Sequence, residues 1–476
     1  MKTICLYFEL HQIIHLKRYR FFEIGRDHYY YDDFANETSI ADIADRSYVP
    51  ALQTLINMAR DNGKYFKVAL SLSGVGLEQL ELHAPQVIDL LQELNKTGCV
   101  EFLCEPYSHG LASLANTESF REECMRMKDK IKELFGQTPK VFRNSSLIYS
   151  DSIGEQVASM GFKGMLTEGA KHILGWKSPH YVYTCATNPS LKLLLRDYKF
   201  SDDICLRFNN SDWNEYPLYA DTYADWIAQL PEDEEVVNIF MELCALGIFQ
   251  PLSSHILDFL YALPKCAKER GITFSTPSEL CSSKSRHKPV GPLTIAYPVS
   301  WVDEERDTSC WLGNQMQREA FDKLYSVADR VRICTDRRIK QDWDYLQASN
   351  NFRFMTTKHN SVGMNRGIYD GPYDAFTNYM NILGDFINRV NALYPVDMDN
   401  EELNSLLTTI KNQGEEIEAK DRKIEKLQRE LEKYQDAAKP TEKPKADKAV
   451  KAKPVKATKK TATKTAKNKA NTKATK

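Results

Sequence analysis

Phe142-Arg143-Asn144-Ser145-Ser146-Leu147-Ile148-Tyr149-Ser150-Asp151 closes a short β-rich run, passes through four polar residues, and gives way to a helical pattern at Ser152. A strand that ends on polar side chains and hands over to a helix is the repeating unit of a parallel α/β sheet, where chemistry sits at the strands' carboxyl ends. Outward from this point the same unit recurs. Short β-rich runs are expected at residues 4–9, 67–72, 100–104, 141–142, 164–167 and 236–241, with helices at 48–59, 84–94, 118–135, 152–160 and 252–269 from their apolar spacing of three to four. So many repeats favour a closed α/β barrel over an open doubly wound sheet.

From about residue 307 the β-rich runs thin out and helical stretches at 309–335 and 373–393 predict a helical second domain. Beyond residue 397, Leu403, Ile410, Ile417, Ile424 and Leu431 recur every seven residues, with Leu406, Leu427 and Tyr434 at the d positions. That spacing predicts a short coiled-coil helix over 403–434 that would let the chain self-associate, although Gln413, Lys420 and Gly414 fit a lone charged helix equally well. The expected organisation is therefore a barrel at 1–300, helices at 301–396, a coiled-coil helix at 397–436 and a disordered tail at 437–476.

Charge separates these parts. Residues 439–476 hold fourteen lysines against Glu442 and Asp447, so this tail is net +12 and the remainder net −14. A Lys/Ala/Thr/Pro tail buries too little apolar surface to fold. Its lysines suit weak binding of anionic partners, but no aromatic residue interrupts them to stack on bases, which speaks against specific nucleic-acid recognition. The eleven cysteines are scattered without a C-x-x-C pair, which predicts reduced, mostly buried thiols. Glu9 and His11 interrupt the first apolar run, so it reads as a strand and not a signal peptide, and no stretch reaches the ~18 apolar residues of a membrane span. A cytoplasmic location is expected.

The quoted stretch, with Trp301-Val302-Asp303-Glu304-Glu305-Arg306-Asp307 and Trp311-Leu312-Gly313-Asn314-Gln315-Met316-Gln317, resembles the α-amylases of glycoside hydrolase family 57. His11-Gln12-Ile13 resembles the family's H-Q-P, and Glu105-Pro106-Tyr107-Ser108-His109 its second motif. Trp176-Lys177-Ser178-Pro179 and Leu206-Arg207-Phe208 are also family-like. The resemblance spans about residues 1–390 with five motifs in order. It implies an incomplete (β/α)7 TIM-like barrel that engages α-1,4-glucan such as glycogen or maltodextrin, with no cofactor and no metal.

Retaining glycosidases use two carboxyl groups about 5 Å apart, one attacking the sugar and one moving the proton. The family's F-R-N-T-E-L-I-Y carries the nucleophilic glutamate, and here Ser146 stands at that position. A serine hydroxyl with no adjacent base is a poor nucleophile and too short to reach the anomeric carbon. In Met241-Glu242-Leu243-Cys244-Ala245-Leu246-Gly247-Ile248-Phe249-Gln250, Glu242 takes the place of the family's acid/base aspartate. Cys244, Ile248 and Phe249 replace polar neighbours there.

The resemblance implies a sugar groove lined by His11, Glu105, His109, Arg143, Asn144, Trp301 and Asp303, with Trp301 against sugar and Trp311 in packing. Each has a plainer reading: His11 and His109 as satisfied core histidines, Arg143 and Asn144 as loop fasteners, Trp301 as a junction residue. His11 and His15 form an H-x-x-x-H pair, which raises metal binding and a deacetylase reading; a pair directly after a strand, with no third ligand in view, argues against both. Three functions are compatible with these residues. One is an α-amylase-like protein with weak or absent hydrolysis, another a non-catalytic glucan-binding scaffold, and the third an enzyme that recruits Glu105 or Glu168.

Overall fold

The computed structural model describes residues 1–358 and 367–393 and scattered helical positions between 405 and 427. Its sheet contains ten strands: β1 (Thr3–Leu10), β2 (Val68–Leu72), β3 (Val100–Leu103), β4 (Val141–Arg143), β5 (Gly164–Glu168), β6 (Val182–Cys185), β7 (Lys192–Arg196), β8 (Val236–Glu242), β9 (Thr273–Phe274) and β10 (Pro292–Leu293). All eight residues of β1 and all five of β2 are buried. Burial on both faces is what turns a parallel strand into a near-continuous apolar run.

Seven parallel strands close a circuit. β1 pairs with β2 and β8, β2 with β3, β4 with β5, and β5 with β7. A single bridge, Cys104 to Phe142, carries β3 to β4, and one residue pair, Arg196 to Asn238, joins β7 to β8. That second junction is the weak seam of the barrel. There the antiparallel β6 lies against the start of β7, from Lys192 to Leu194, and β10 extends β6.

Helices wrap the circuit by ordinary capping and amphipathic logic. In Thr117–Phe135 the Asn116 side chain accepts from the Ser119 N–H, Phe120, Cys124, Met127, Ile131 and Phe135 face inward, and left-handed Gly136 ends the helix. The expected long helix at 309–335 is instead three: Ser309–Leu312, Gln315–Tyr325 and Ala328–Ile333. Asn314 causes the first break by capping a new helix, accepting from the Gln317 N–H while the Gln317 side chain accepts from the Asn314 N–H. Pro372–Leu393 buries Tyr379, Leu383, Phe386 and Val390 along one side.

Met1–Leu403 forms one compact unit, so the expected barrel and helical domains lie within a single body. A second unit runs from Asn404 to Lys476. In it Ile417, Ile424 and Leu427 are helical and exposed, while most of the expected coiled coil and the whole lysine tail lie outside the described residues. Among the described residues no helix is long and apolar enough to cross a membrane.

Candidate active site

A cavity of about 320 Å³ opens at the carboxyl ends of the strands and is lined by Glu9 of β1, His109 beyond β3, Ser146 beyond β4 and Glu242 of β8, with His11, Asn350 and Trp311. This is the end at which barrels of this kind place their chemistry. Ser146 and Glu242, named from sequence for their positions in two distant motifs, thus line the same cavity.

Local backbone sets the Ser146 side chain. Ser146 and Leu147 both adopt left-handed φ, 50° and 58°, in a loop held by Asn144. The Asn144 amide donates to the Ile148 carbonyl and to Ser113 Oγ at 2.9 Å each, and its oxygen accepts from the Ser145 N–H at 3.0 Å. Asn144 is therefore the fastener of the loop, and the cavity wall does not include it. Consecutive non-glycine residues in this region of φ/ψ space cost energy, which the buried Asn144 bonds offset.

Arg143 is fully buried beneath the cavity floor and does not line it. Its guanidinium takes both oxygens of Glu9, with Nη2 to Oε2 at 2.6 Å, and reaches Glu105 Oε2 at 3.2 Å. Glu105 is equally buried and also accepts from Ser71 Oγ. Burial raises the Glu9 carboxyl to about 8 against the pull of Arg143, and raises Glu105 too. Desolvation and their mutual repulsion both favour the neutral form of these carboxyl groups, and Arg143 opposes it.

His109 Nδ1 lies 3.2 Å from both Glu9 and Glu105, and its ring stacks on His11 with centroids 4.0 Å apart. His11 Nδ1 meets Ser73 Oγ at 2.8 Å and its Nε2 meets Asn350 Oδ1 at 3.3 Å. Burial pushes both imidazoles well below their ordinary range, so both are neutral. Both rings border the cavity uncharged, with both His11 nitrogens already engaged.

Glu242 is partly exposed to the cavity, and the Cys244 thiol donates to its Oε2 at 3.2 Å. It pairs in register with Glu9 on the neighbouring strand, so the two side chains point the same way about 5 Å apart at the backbone. Glu9 is the functional-site residue that sequence reading passed over. The available signal was a carboxylate inside an otherwise apolar run, Thr3-Ile4-Cys5-Leu6-Tyr7-Phe8-Glu9-Leu10.

Both tryptophans are buried. Trp301 is 5% exposed, packs edge-on against Phe240 with centroids 5.7 Å apart and covers the Arg196 guanidinium at 5.4 Å. Trp311 borders the cavity but is 1% exposed, more completely buried than Trp301. Asp303 lies away from the cavity wall, 3.7 Å from Lys358 Nζ. Glu168 is buried against Arg196, so neither it nor Glu105 reaches the cavity as a spare carboxylate. Among the described residues Glu9, Glu105 and His109 form the one group with ligand atoms close enough for a metal ion, within 4.8 Å. Arg143 already supplies the positive charge there, and neither His11 nor His15 belongs to the group.

A barrel with carboxylates, neutral imidazoles and an indole around one cavity has the composition of a carbohydrate site. Residues 5–296 match glycosyl hydrolase family 57, and the chain belongs to that family. Over 372 residues, 75% of this chain and 78% of the other, it is 37% identical to a Methanocaldococcus jannaschii protein that bears the name "Putative alpha-amylase". The fold is shared with the 4-alpha-glucanotransferase of Thermococcus litoralis (TM-score 0.59, 15% identity, 81% of this chain), of which the present chain spans 59%. It is shared too with the GH57-type branching enzyme of Pyrococcus horikoshii (TM-score 0.58, 14% identity, 84% of this chain and 93% of that one). The alpha-amylase AmyC of Thermotoga maritima has the same fold (TM-score 0.53, 12% identity, 85% and 96%).

Proposed function

We propose that the cavity engages α-1,4-linked glucan, such as glycogen or maltodextrin, and that retaining hydrolysis there is weak or lost because Ser146 takes the place of the nucleophile. The carrying observation is that Ser146 and Glu242 line one cavity, so the nucleophile position presents a hydroxyl to it where a carboxylate is required. Of the two other carboxylates lining the cavity, Glu9 has both oxygens occupied by Arg143 and Asp42 is paired with Arg46 at 3.0 Å. Glu242 keeps the proton-transfer role, and His109 borders the cavity as a neutral imidazole. The family and the names of its relatives support glucan as the class of ligand.

Calorimetric titration of the full chain with maltoheptaose, run beside an assay for reducing ends, tests this reading. Binding with negligible turnover is expected. Turnover at the rate of ordinary amylases, or failure to bind, defeats it. A non-catalytic scaffold is the second reading. The Arg143 lock on Glu9 favours it, because the lock removes the nearest substitute nucleophile.

A further inference from the structure

The opposite end of the barrel carries a feature that glucan binding does not use. Lys140 precedes β4, Lys163 precedes β5 and Lys192 opens β7, three strands that lie side by side in the sheet. Their backbones are directly bonded: the Lys163 N–H donates to the Lys140 carbonyl at 2.8 Å and the Lys192 N–H to the Lys163 carbonyl at 3.1 Å. Lys140 and Lys163 are therefore opposite one another at about one strand spacing, ~5 Å at the backbone, and Lys192 lies one residue further along opposite Gly164; like charges placed so closely cost stability when nothing neutralises them.

Nothing in the surrounding wall does so. Together the three lysines line a cavity of about 580 Å³ with Ser278, Ser282 and Ser283. Lys192 Nζ donates to the Ser282 carbonyl at 3.3 Å, and among the described residues the Lys140 and Lys163 side chains have no ion-pair or hydrogen-bond partner. The single carboxylate on the wall, Glu279, is committed to Lys67 and to Ser275 Oγ and the Thr276 N–H at 3.0 and 3.1 Å. An adjoining cavity of about 370 Å³ shares Glu279 and Ser282 and adds Lys284 and Arg286. This concentration of cations stands out on a chain whose first 438 residues are net −14.

From this geometry we infer that the amino-terminal end of the barrel binds a multiply charged phosphate compound of the size of a sugar phosphate or nucleotide, with Lys140, Lys163 and Lys192 meeting its phosphate oxygens and the serine hydroxyls completing their hydrogen bonds. Lysine ammonium groups grip phosphate as point charges, and repulsion among them is relieved when the anion arrives. The site is separate from the glucan cavity and shares no lining residue with it.

The test uses the full chain and inorganic pyrophosphate, followed by thermal melting and titration calorimetry. Pyrophosphate is expected to raise Tm, and Lys163→Glu is expected to weaken pyrophosphate at least tenfold while leaving maltoheptaose binding unchanged. Lys163→Met removes one charge without reversing it, and its anion-free Tm should equal or exceed that of the natural chain. Glucose 1-phosphate and ADP then distinguish a sugar phosphate from a nucleotide as the source of the phosphate. If pyrophosphate binds equally well to the natural chain and to both Lys163 variants, the lysine tail or bulk screening is responsible and the inference is overturned. Absence of any pyrophosphate binding overturns it as well.

Discussion

Arg143 is the residue on which the site's architecture turns, and its importance is thermodynamic before it is chemical. It satisfies Glu9 and partly satisfies Glu105 in a region with almost no solvent. Replacing it by leucine strands two buried carboxyl groups, and urea unfolding of Arg143→Leu is expected to show a loss of about 3–5 kcal/mol; a loss below 1 kcal/mol contradicts the ion-pair description. The sequence displays Arg143 within a recognisable motif but cannot display its partner, because Glu9 is 134 positions away. For the same reason the sequence reading sets Trp301 against sugar and Trp311 in packing without showing what either touches. Each sits in a family-like motif, and only the packing of Trp301 against Phe240 and Arg196 takes it away from the cavity.

Strands and helices were legible where burial imposes a pattern. β1, β2 and β8 read as apolar runs because both of their faces are covered, and Thr117–Phe135 announces itself through its spacing and Gly136. β6 and β7 were missed: Lys192-Leu193-Leu194-Leu195-Arg196 is a short leucine run between charges, which suits a helix as well as a strand, and pairing with β5 decides the matter. The junction of Pro372–Leu393 with the loop after β1 was also invisible. There the fully buried Asp385 accepts from the Gly25 N–H and the Tyr30 hydroxyl at 2.6 Å each and meets His28 Nδ1 at 2.8 Å. Asp385→Ala leaves these groups without their acceptor and is expected to cost about 2–3 kcal/mol in thermal or urea unfolding. Since the same loop begins with His11 and Gln12 on the cavity wall, maltoheptaose affinity should fall in parallel; an unchanged Tm contradicts the clamp.

At the scale of the whole molecule, several carboxyl groups are buried with insufficient compensation. Burial raises Glu123 and Glu168 to about 7 and Glu9 to about 8, each from an ordinary value of 4.5. The folded chain retains these protons over a range in which the unfolded chain releases them, so their favourable contribution is complete below about 4.5 and is lost as pH rises through 7 to 8. Stability is accordingly expected to fall between pH 5 and 8. Glu123 is the cleanest probe, since its bonds are to the Ser108 N–H and hydroxyl, at 3.2 and 2.6 Å, with no cation bonded to it among the described residues. Glu123→Gln should flatten the profile, gaining on the order of 2 kcal/mol at pH 8 and little at pH 5; a stability that rises with pH contradicts this. The charge division between body and tail was plain in the sequence, whereas closure of the barrel through two single-residue junctions was not. Deleting residues 439–476 is expected to leave maltoheptaose affinity within twofold, and a tenfold loss contradicts the separation of tail and sugar site.

The most direct test compares maltoheptaose hydrolysis by the natural chain and by Ser146→Glu, each with and without azide. A cavity that lacks only its attacking group should gain about 100-fold in rate, ~2.7 kcal/mol of transition-state stabilisation, when the carboxylate is introduced. Azide, a small anion able to occupy the empty position, should accelerate the natural chain and not the variant. Brisk hydrolysis by the natural chain, undiminished or bettered by nothing at position 146, contradicts the account.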